Sequence, residues 1–438
     1  MTMNKFYNLI SRVFLSLLFV MTSCSGSIVY KTSFDKDVLS SGEWKIGGNP
    51  IQGAVAEYKD SEGIDSSGCI YLNSPDRGHL YVSHYISGLD QSKLYRFTAK
   101  VKTRGVKEGR GAILAVKTEN SNQIWNASEF VYDDNDWKEV YIDFVPSSEG
   151  TAEICCMLGN FGGTYNGGTA LGEVWYDDIF VKEVSDDQMY FRTGEHISLA
   201  LDRDKVSIPD SEVDKWLVNL DKIYLSYKDL IGDCPYDGRK IMILTTPGIE
   251  AGYWALAGNP ILWNNHVGIE KLLRRTMDCG DWNFGILHEI GHTFSPGTVT
   301  GNGNWNWNDE IFANFRMSYA LEDCGGSVCQ RDVIYTGADI INYYKIFYDE
   351  TIGKGIAKNN GDALHYTFLR IKEKYGWNVY KKAFRRLYAL SSEEMSHLRT
   401  DYEKLKFFLK YVSDAAGEDV TKTCYTAEEL HLIEESLK

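Results

Sequence analysis

The sequence predicts a multidomain protein, with an N-terminal all-β sandwich of the jelly-roll type followed by an α+β, mostly helical domain. Three observations carry this. The 438 residues exceed what one hydrophobic core ordinarily organises, so two domains are the starting assumption. From Ile28 to about Val184, short runs approach alternation of apolar and polar residues, the mark of half-buried strands. Further on, the apolar spacing changes to three and four, which is the period of a helix face. Hydrophobic content of 43% and charged content of 24% are those of a globular chain. A net charge of -15 argues against a nucleic-acid partner, because phosphate binding needs clustered Lys and Arg.

Residues 1–23 read as a secretory signal. Lys5 and Arg12 precede the apolar run VFLSLLFVM, and the small residues TSCSGS follow it, in the order such a signal requires. The apolar run of nine residues is too short to span a bilayer. MTSC resembles the bacterial lipobox, with Met21 in place of the commoner Leu. That resemblance implies lipidation of Cys24 and an exported lipoprotein of the outer membrane or cell surface, touching the membrane only through the anchor. A monomer is expected. Eight cysteines remain besides Cys24. Cys324 and Cys329 are spaced for a small disulfide loop, whereas adjacent Cys155 and Cys156 would face opposite sides of a strand.

The β region is placed at 24–185. LYRFTAKVKT (94–103), AILAVKT (112–118), WKEVYIDFV (137–145) and EVWYDDIFVKEV (173–184) are rich in β-branched and aromatic residues, and Gly, Asp, Asn and Ser clusters separate them. With the opening TSFDKD, these strands resemble carbohydrate-binding modules of the jelly-roll type. The resemblance implies a structural calcium near the joined chain ends, for which Asp35 and Asp178 are the placed acids. It also implies exposed aromatics that stack on sugar faces. Trp44 and Trp125 are the leading candidates, with Tyr81, Tyr85 and Tyr165 beside them, although most such aromatics in a sandwich serve its core.

A polar stretch at 186–195 reads as a linker, and the second domain is placed at 196–438. It opens with an amphipathic helix, whose apolar face is Val213, Trp216, Leu217, Leu220, Ile223, Tyr224 and Tyr227. RKIMILTT (239–246) reads as a buried strand, and YWALAGNPILW (253–263) as a Gly-interrupted extended segment. The remainder is mostly helical.

Within it lies FGILHEIGHTFSP (284–296). His288 and His292 are four apart, so on a helix their side chains share a face and can both reach one zinc ion. Glu289 is rotated from that face by about 100°, placed to take a proton from water without ligating the metal. Gly291 inside the helix costs about 1 kcal/mol relative to Ala, so a close backbone or substrate approach is expected there.

A catalytic zinc needs a third protein ligand and an open fourth position. Thr298 and Ser295 exclude the metzincin pattern, which needs His and Gly there. Glu310 follows His292 with seventeen residues between, on a new helix capped by Asn308 or Asp309. This is the gluzincin arrangement, in which a Glu completes the ligand set; Asp309 is the rival ligand. Asn314, one turn beyond Glu310, could hydrogen-bond a ligand from behind.

HEIGHTF followed by WNWNDEIFANF, with LRIKEKYGWNVYKKAFRRL (369–387) and FFLKYVSDAAGEDVT (407–421), resembles the enhancin-type gluzincin family. These are secreted metallopeptidases associated with mucin and other O-glycosylated proteins. The resemblance covers roughly 200–435 and implies zinc held by His288, His292 and Glu310, with Glu289 as general base. It implies a zinc endopeptidase acting on proteins or glycoproteins, O-glycans included. No Gly-x-Met-Glu-Asn segment precedes HEIGH, which disfavours the aminopeptidase branch. A non-catalytic glycan-binding lipoprotein is the other alternative. Gluzincins usually add a Tyr or His donor for the oxyanion. Tyr366 and His365 are the leading candidates, Tyr343 and Tyr344 the others, and Tyr319 should point away. The segment GIEAGYWALAGNPILW (248–263) is expected to be an edge strand along which a peptide pairs.

Overall fold

The computed structural model describes residues 27–118, 127–160, 168–249 and 252–438. It divides into two compact units, Met1–Met189 and Tyr190–Lys438. Cys24, Trp125 and Tyr165 lie outside the described residues.

The first unit is β-rich. Its strands are β1 (Ile28–Thr32), β2 (Lys45–Asn49), β3 (Val55–Lys59), β4 (Cys69–Ile86), β5 (Tyr95–Lys107), β6 (Ala112–Lys117), β7 (Asp133–Phe144), β8 (Ala152–Leu158) and β9 (Ala170–Glu183). Among the described residues these strands pair antiparallel. Strand β4 serves two neighbour sets. Residues 69–74 pair with β3 and β9, and residues 79–86 pair with β2 and β8, on either side of an irregularity between Ser74 and Gly78. Alternation in β8 divides its side chains as period two requires. Cys156 joins the main core with Leu72, Val82, Phe97 and Tyr176, and Cys155 joins a smaller cluster with Ile113 and Met157 on the other face.

One expectation for this unit is corrected. Trp44 is only 1% exposed; its ring packs edge-on against Phe34 and its Nε1 donates to Tyr30 Oη at 3.0 Å. Core packing and a satisfied indole donor leave it no face for a sugar. Asp35 and Asp178 belong to no three-acid cluster among the described residues. Asp35 is exposed beside Ser33. The buried acid here is Asp177, whose carboxylate accepts from Ile64 N, Ser67 Oγ and Asp178 N.

The second unit carries a five-stranded sheet in the order β10 (Met189–Thr193), β11 (Ile197–Asp202), β12 (Ile241–Thr246), β14 (Ile261–Asn264), β13 (Ala255–Leu256). Strands β11, β12 and β14 are parallel, and β13 adds antiparallel at the edge. The expected linker at 186–195 is therefore partly strand, because Met189 and Tyr190 are buried and β10 pairs into the sheet. Helix α1 (Asp210–Ile231) connects β11 to β12, buries all seven residues of its expected face, and stops at Gly232 in the left-handed region. Helices α2 (Ile269–Cys279), α3 (Phe284–Thr293), α4 (Pro296–Thr300), α5 (Asp309–Cys324), α6 (Ile340–Glu350), α7 (Gly361–Tyr375), α8 (Asn378–Tyr388), α9 (Asp401–Ala416), α10 (Val420–Cys424) and α11 (Ala427–Leu437) follow. A hairpin of β15 (Ser327–Gln330) and β16 (Val333–Thr336) interrupts them. The eight described cysteines are all free, so Cys324 and Cys329 form no disulfide. Among the described residues no helix is long and apolar enough to cross a membrane.

Candidate metal centre

Helix α3 is held from behind by α1. Tyr227 Oη donates to Leu287 O at 2.8 Å, and Trp216 Nε1 donates to Trp282 O at 3.0 Å. Its N-terminus is capped by Asn283, whose side chain accepts from Ile286 N. The apolar residues Ile286, Leu287 and Ile290 face the core, which turns His288 and His292 together to the other side, as their spacing requires. Gly291 has a structural reason. A Cβ there would lie 2.8 Å from Ala313 O and 3.2 Å from Ala313 Cα, so glycine lets α3 and α5 approach at this level.

Helix α5 brings the third donor. Asn308 caps it, accepting from Glu310 N at 3.1 Å, and Glu310 follows in the first turn. His288 Nε2 lies 3.0 Å from Glu310 Oε2, His292 Nε2 lies 3.4 Å from Glu310 Oε1, and the two Nε2 atoms are 2.9 Å apart. Donors tetrahedrally arranged about one zinc would be about 3.3 Å apart. The residues present therefore fit such an ion in type and spacing, and no other group of three candidate ligands occurs among the described residues. The histidine side chains are 13% and 15% exposed and that of Glu310 72%. The cluster thus opens to solvent on the Glu310 side.

Each imidazole is oriented from its far nitrogen. His288 Nδ1 lies 2.8 Å from Asn314 Oδ1, and His292 Nδ1 lies 2.6 Å from Asp309 Oδ2. A proton on each Nδ1 leaves Nε2 free to ligate. Asp309, the rival ligand in the sequence, thus stands behind His292. Its other oxygen accepts from Asn306 at 2.6 Å and from Arg316 at 3.1 Å. Arg316 is fully buried and also donates to Gly291 O at 2.8 Å and Tyr388 Oη at 3.2 Å. Sequence reasoning did not single out Arg316; a charge two turns into a helix otherwise lined with apolar side chains was its only signal.

The electrostatics follow from these contacts. Burial opposes a charge on His292, but its bonds to Asp309 and Glu310 outweigh that and push it up to about 10. Burial would raise Asp309, yet Arg316 and His292 hold it down at about 2. Glu310 is held well below the usual carboxylate range by His288 and His292. Glu289 is raised, chiefly by burial, against the pull of both histidines. The backbone of Ala257 also acts against that rise, which sets the carboxylate near the segment just beyond edge strand β13. The same segment packs on α3, where a Cβ at Gly285 would lie 2.3 Å from the Trp254 ring.

Two expected oxyanion donors are corrected. His365 is fully buried, with Nε2 3.2 Å from Ser318 Oγ and its ring 3.8 Å from that of Tyr344. Ser318 lies two turns beyond Glu310, about 12 Å along the helix, so His365 belongs to the core. Tyr366 packs at a tilt against Tyr348 and under Arg370, which pairs with Glu429 of the C-terminal helix, and not with the ligand set. Tyr344 is also fully buried against His365. Tyr319 points away, donating to Asp229 Oδ2 at 2.6 Å. Tyr343 lies nearer, edge-on to Phe284, which in turn stacks on His288.

No family model and no curated protein matches the chain. Among solved structures it is similar to a functionally unknown conserved protein from Bacillus anthracis str. Ames, with 15% identity, 90% of this chain and 79% of that chain covered, and a TM-score of 0.41. It is also similar to a CBM22-1 xylan-binding domain from Paenibacillus barcinonensis, with 10% identity, 36% and 96% covered, and a TM-score of 0.26. A CBM22-2 xylan-binding domain from the same organism has 12% identity, 36% and 99% covered, and a TM-score of 0.27. Values this low assign neither an activity nor a ligand.

Proposed function

We propose that this chain is a zinc-dependent endopeptidase of the bacterial surface that cuts glycosylated, mucin-like proteins. The observation that carries this reading is the convergence of His288, His292 and Glu310, whose ligand atoms lie within 4.8 Å of one another, with Glu289 next to them and solvent on the open side. Zinc in this site would supply a Lewis acid that polarises a scissile carbonyl and lowers the pKa of water to near neutrality. Glu289 takes the proton of the attacking water and delivers it to the leaving amine, and its raised pKa suits that exchange. Asn314 and Asp309 hold the imidazoles in the ligating tautomer. Edge strand β13 offers unpaired backbone groups to an extended peptide, which would add as the next strand. The peptide would then run beside Ala257, whose backbone influences Glu289.

The glycoprotein part of the reading rests on the enhancin-type motifs and on the β-rich unit, read as a jelly-roll carbohydrate-binding module. Tyr85, 60% exposed there, is the aromatic best placed to stack on a sugar. Cys24 would carry the lipid anchor.

The test is digestion of a glycoprotein panel by the wild type and by Glu289→Ala, with cleavage sites mapped by mass spectrometry and zinc measured by elemental analysis. The wild type should hold one zinc and cut internally, and Glu289→Ala should keep the zinc but lose about 10²–10⁴ in rate. Equal digestion by both proteins ends the mechanism. Cleavage confined to free N-termini would make the chain an aminopeptidase, and absence of both zinc and cleavage would leave a glycan-binding protein.

A further inference from the structure

We infer that Arg331 and the aromatic wall leading to it form a subsite for an anionic group of the substrate. This rests on the peptidase reading of the metal centre and deepens it. The wall begins at His288, whose ring is stacked 6.3 Å from Phe284. Phe284 meets Tyr343 edge-on at 6.2 Å, Tyr343 meets Phe347 at 5.3 Å, and Tyr335 packs against Tyr343 at 5.5 Å. Arg331 closes the row, with its guanidinium 4.9 Å from the Phe347 ring centre. Phe284, Tyr335 and Phe347 are partly exposed and Arg331 is exposed, so the row presents a surface and not only a core.

The row is built to hold its place. Arg331 and Asp332 form the two-residue turn between β15 and β16, with φ of 50° and 61°, the geometry of a tight hairpin turn. The hairpin is fastened to the segment entering α3. Trp282 N donates to Ser327 O at 2.8 Å, and Cys329 N donates to Asp281 Oδ1 at 3.1 Å. The hairpin carrying Arg331 is thus registered to the helix that carries the metal-binding histidines.

Arg331 has no carboxylate within ion-pair distance among the described residues. Its field does reach Asp362, which also feels His288. Asp362 is committed to Asn314, whose Nδ2 lies 3.4 Å from its Oδ1. A planar guanidinium resting on an aromatic ring with its edges free is suited to bidentate capture of a carboxylate. In a chain of net charge -15, such a cation beside the metal centre offsets repulsion of an acidic substrate locally. The anion could be an acidic side chain of the peptide or a sialic acid on its glycan, since both present a carboxylate.

The test uses the full-length, zinc-loaded protein and two matched substrate pairs. One pair is a fluorogenic peptide with Glu or Ala near the scissile bond; the other is a glycopeptide with or without terminal sialic acid. The readout is the ratio of kcat/KM for the anionic over the neutral member. The wild type should prefer the anionic member of one pair by about five-fold, as expected for a partly exposed charge pair. Arg331→Gln should abolish the preference, Arg331→Glu should invert it, and Arg331→Lys should restore part of it. The pair that responds names the source of the anion. A wild type without preference in either pair, or ratios unchanged in Arg331→Glu, overturns the inference. If nothing is cut, the peptidase reading has failed. Anisotropy of the labelled anionic members then decides the subsite: equal binding by wild type and Arg331→Glu rejects it, and weaker binding by Arg331→Glu upholds it.

Discussion

Gly291→Ala separates helix propensity from helix packing at the candidate metal centre. On propensity alone the change should stabilise, because alanine in a helix interior is favoured over glycine by about 1 kcal/mol. The structure reverses the sign. The new methyl would sit 2.8 Å from Ala313 O and 3.2 Å from Ala313 Cα. Both are backbone atoms in the middle of α5, so no side chain can swing aside. Relieving the contact requires α3 and α5 to part by about half an ångström, and overpacking of that kind costs about 1–3 kcal/mol. The net loss should be about 0–2 kcal/mol instead of a gain of about 1 kcal/mol. The same parting separates the two histidines from Glu310, and metal sites tolerate errors of only about 0.2 Å. Zinc affinity should therefore fall about ten-fold or more. Urea denaturation with chelator present reads the first quantity, and competition with a chromophoric chelator reads the second. A variant as stable as the wild type, with unchanged zinc affinity, would refute the assigned role of Gly291.

The other predictions concern the charges behind the ligands. Asp309→Ala should lower zinc affinity about 10–100-fold and cost about 3–5 kcal/mol, because it leaves the buried Arg316 without its carboxylate. Asp309→Asn should lose less stability, since the shape and the contact to Arg316 survive; equal denaturation midpoints for Asp309→Ala and wild type would contradict this. Zinc binding at pH 8 should release about one proton, because His292 is held up to about 10 without metal; calorimetry in two buffers of different ionisation enthalpy measures it. Stability of the chelated protein should depend on pH from both sides. His292 is raised, so its contribution is complete below the unfolded imidazole value of about 6.5 and is lost as pH climbs toward about 10. Glu310 and Asp309 are lowered, so theirs is complete above about pH 4–5 and is lost in acid. Thermal melts with chelator should peak at about pH 5–6.5, and a flat profile from there to pH 10 would count against the assigned contacts.

The strands and the first helix were legible because their periods are local. All seven apolar positions chosen for α1 are buried, and Cys155 and Cys156 part to two clusters as alternation demands. Strand β4 was not legible. Its middle reads Ser-Pro-Asp-Arg-Gly, which has the composition of a turn, yet the chain continues through it while changing neighbours. Burial of aromatics was not legible either, since Trp44 is decided by Tyr30, Phe34 and His84 across the unit.

By itself the sequence determined the change from β to helical grammar and the pairing of His288 with His292, because a spacing of four on a helix is local geometry. It also marked Gly291 as a place of close approach. Only the tertiary structure decided between Glu310 and Asp309, turning the first toward the imidazole Nε2 atoms and the second behind His292. It likewise removed His365 and Tyr366 from the site and joined Arg316 to it. Those outcomes depend on how two helices, whose ligands His292 and Glu310 have seventeen residues between them, are rotated and spaced, which is set by packing against α1, α8 and the sheet rather than by any neighbour in the chain.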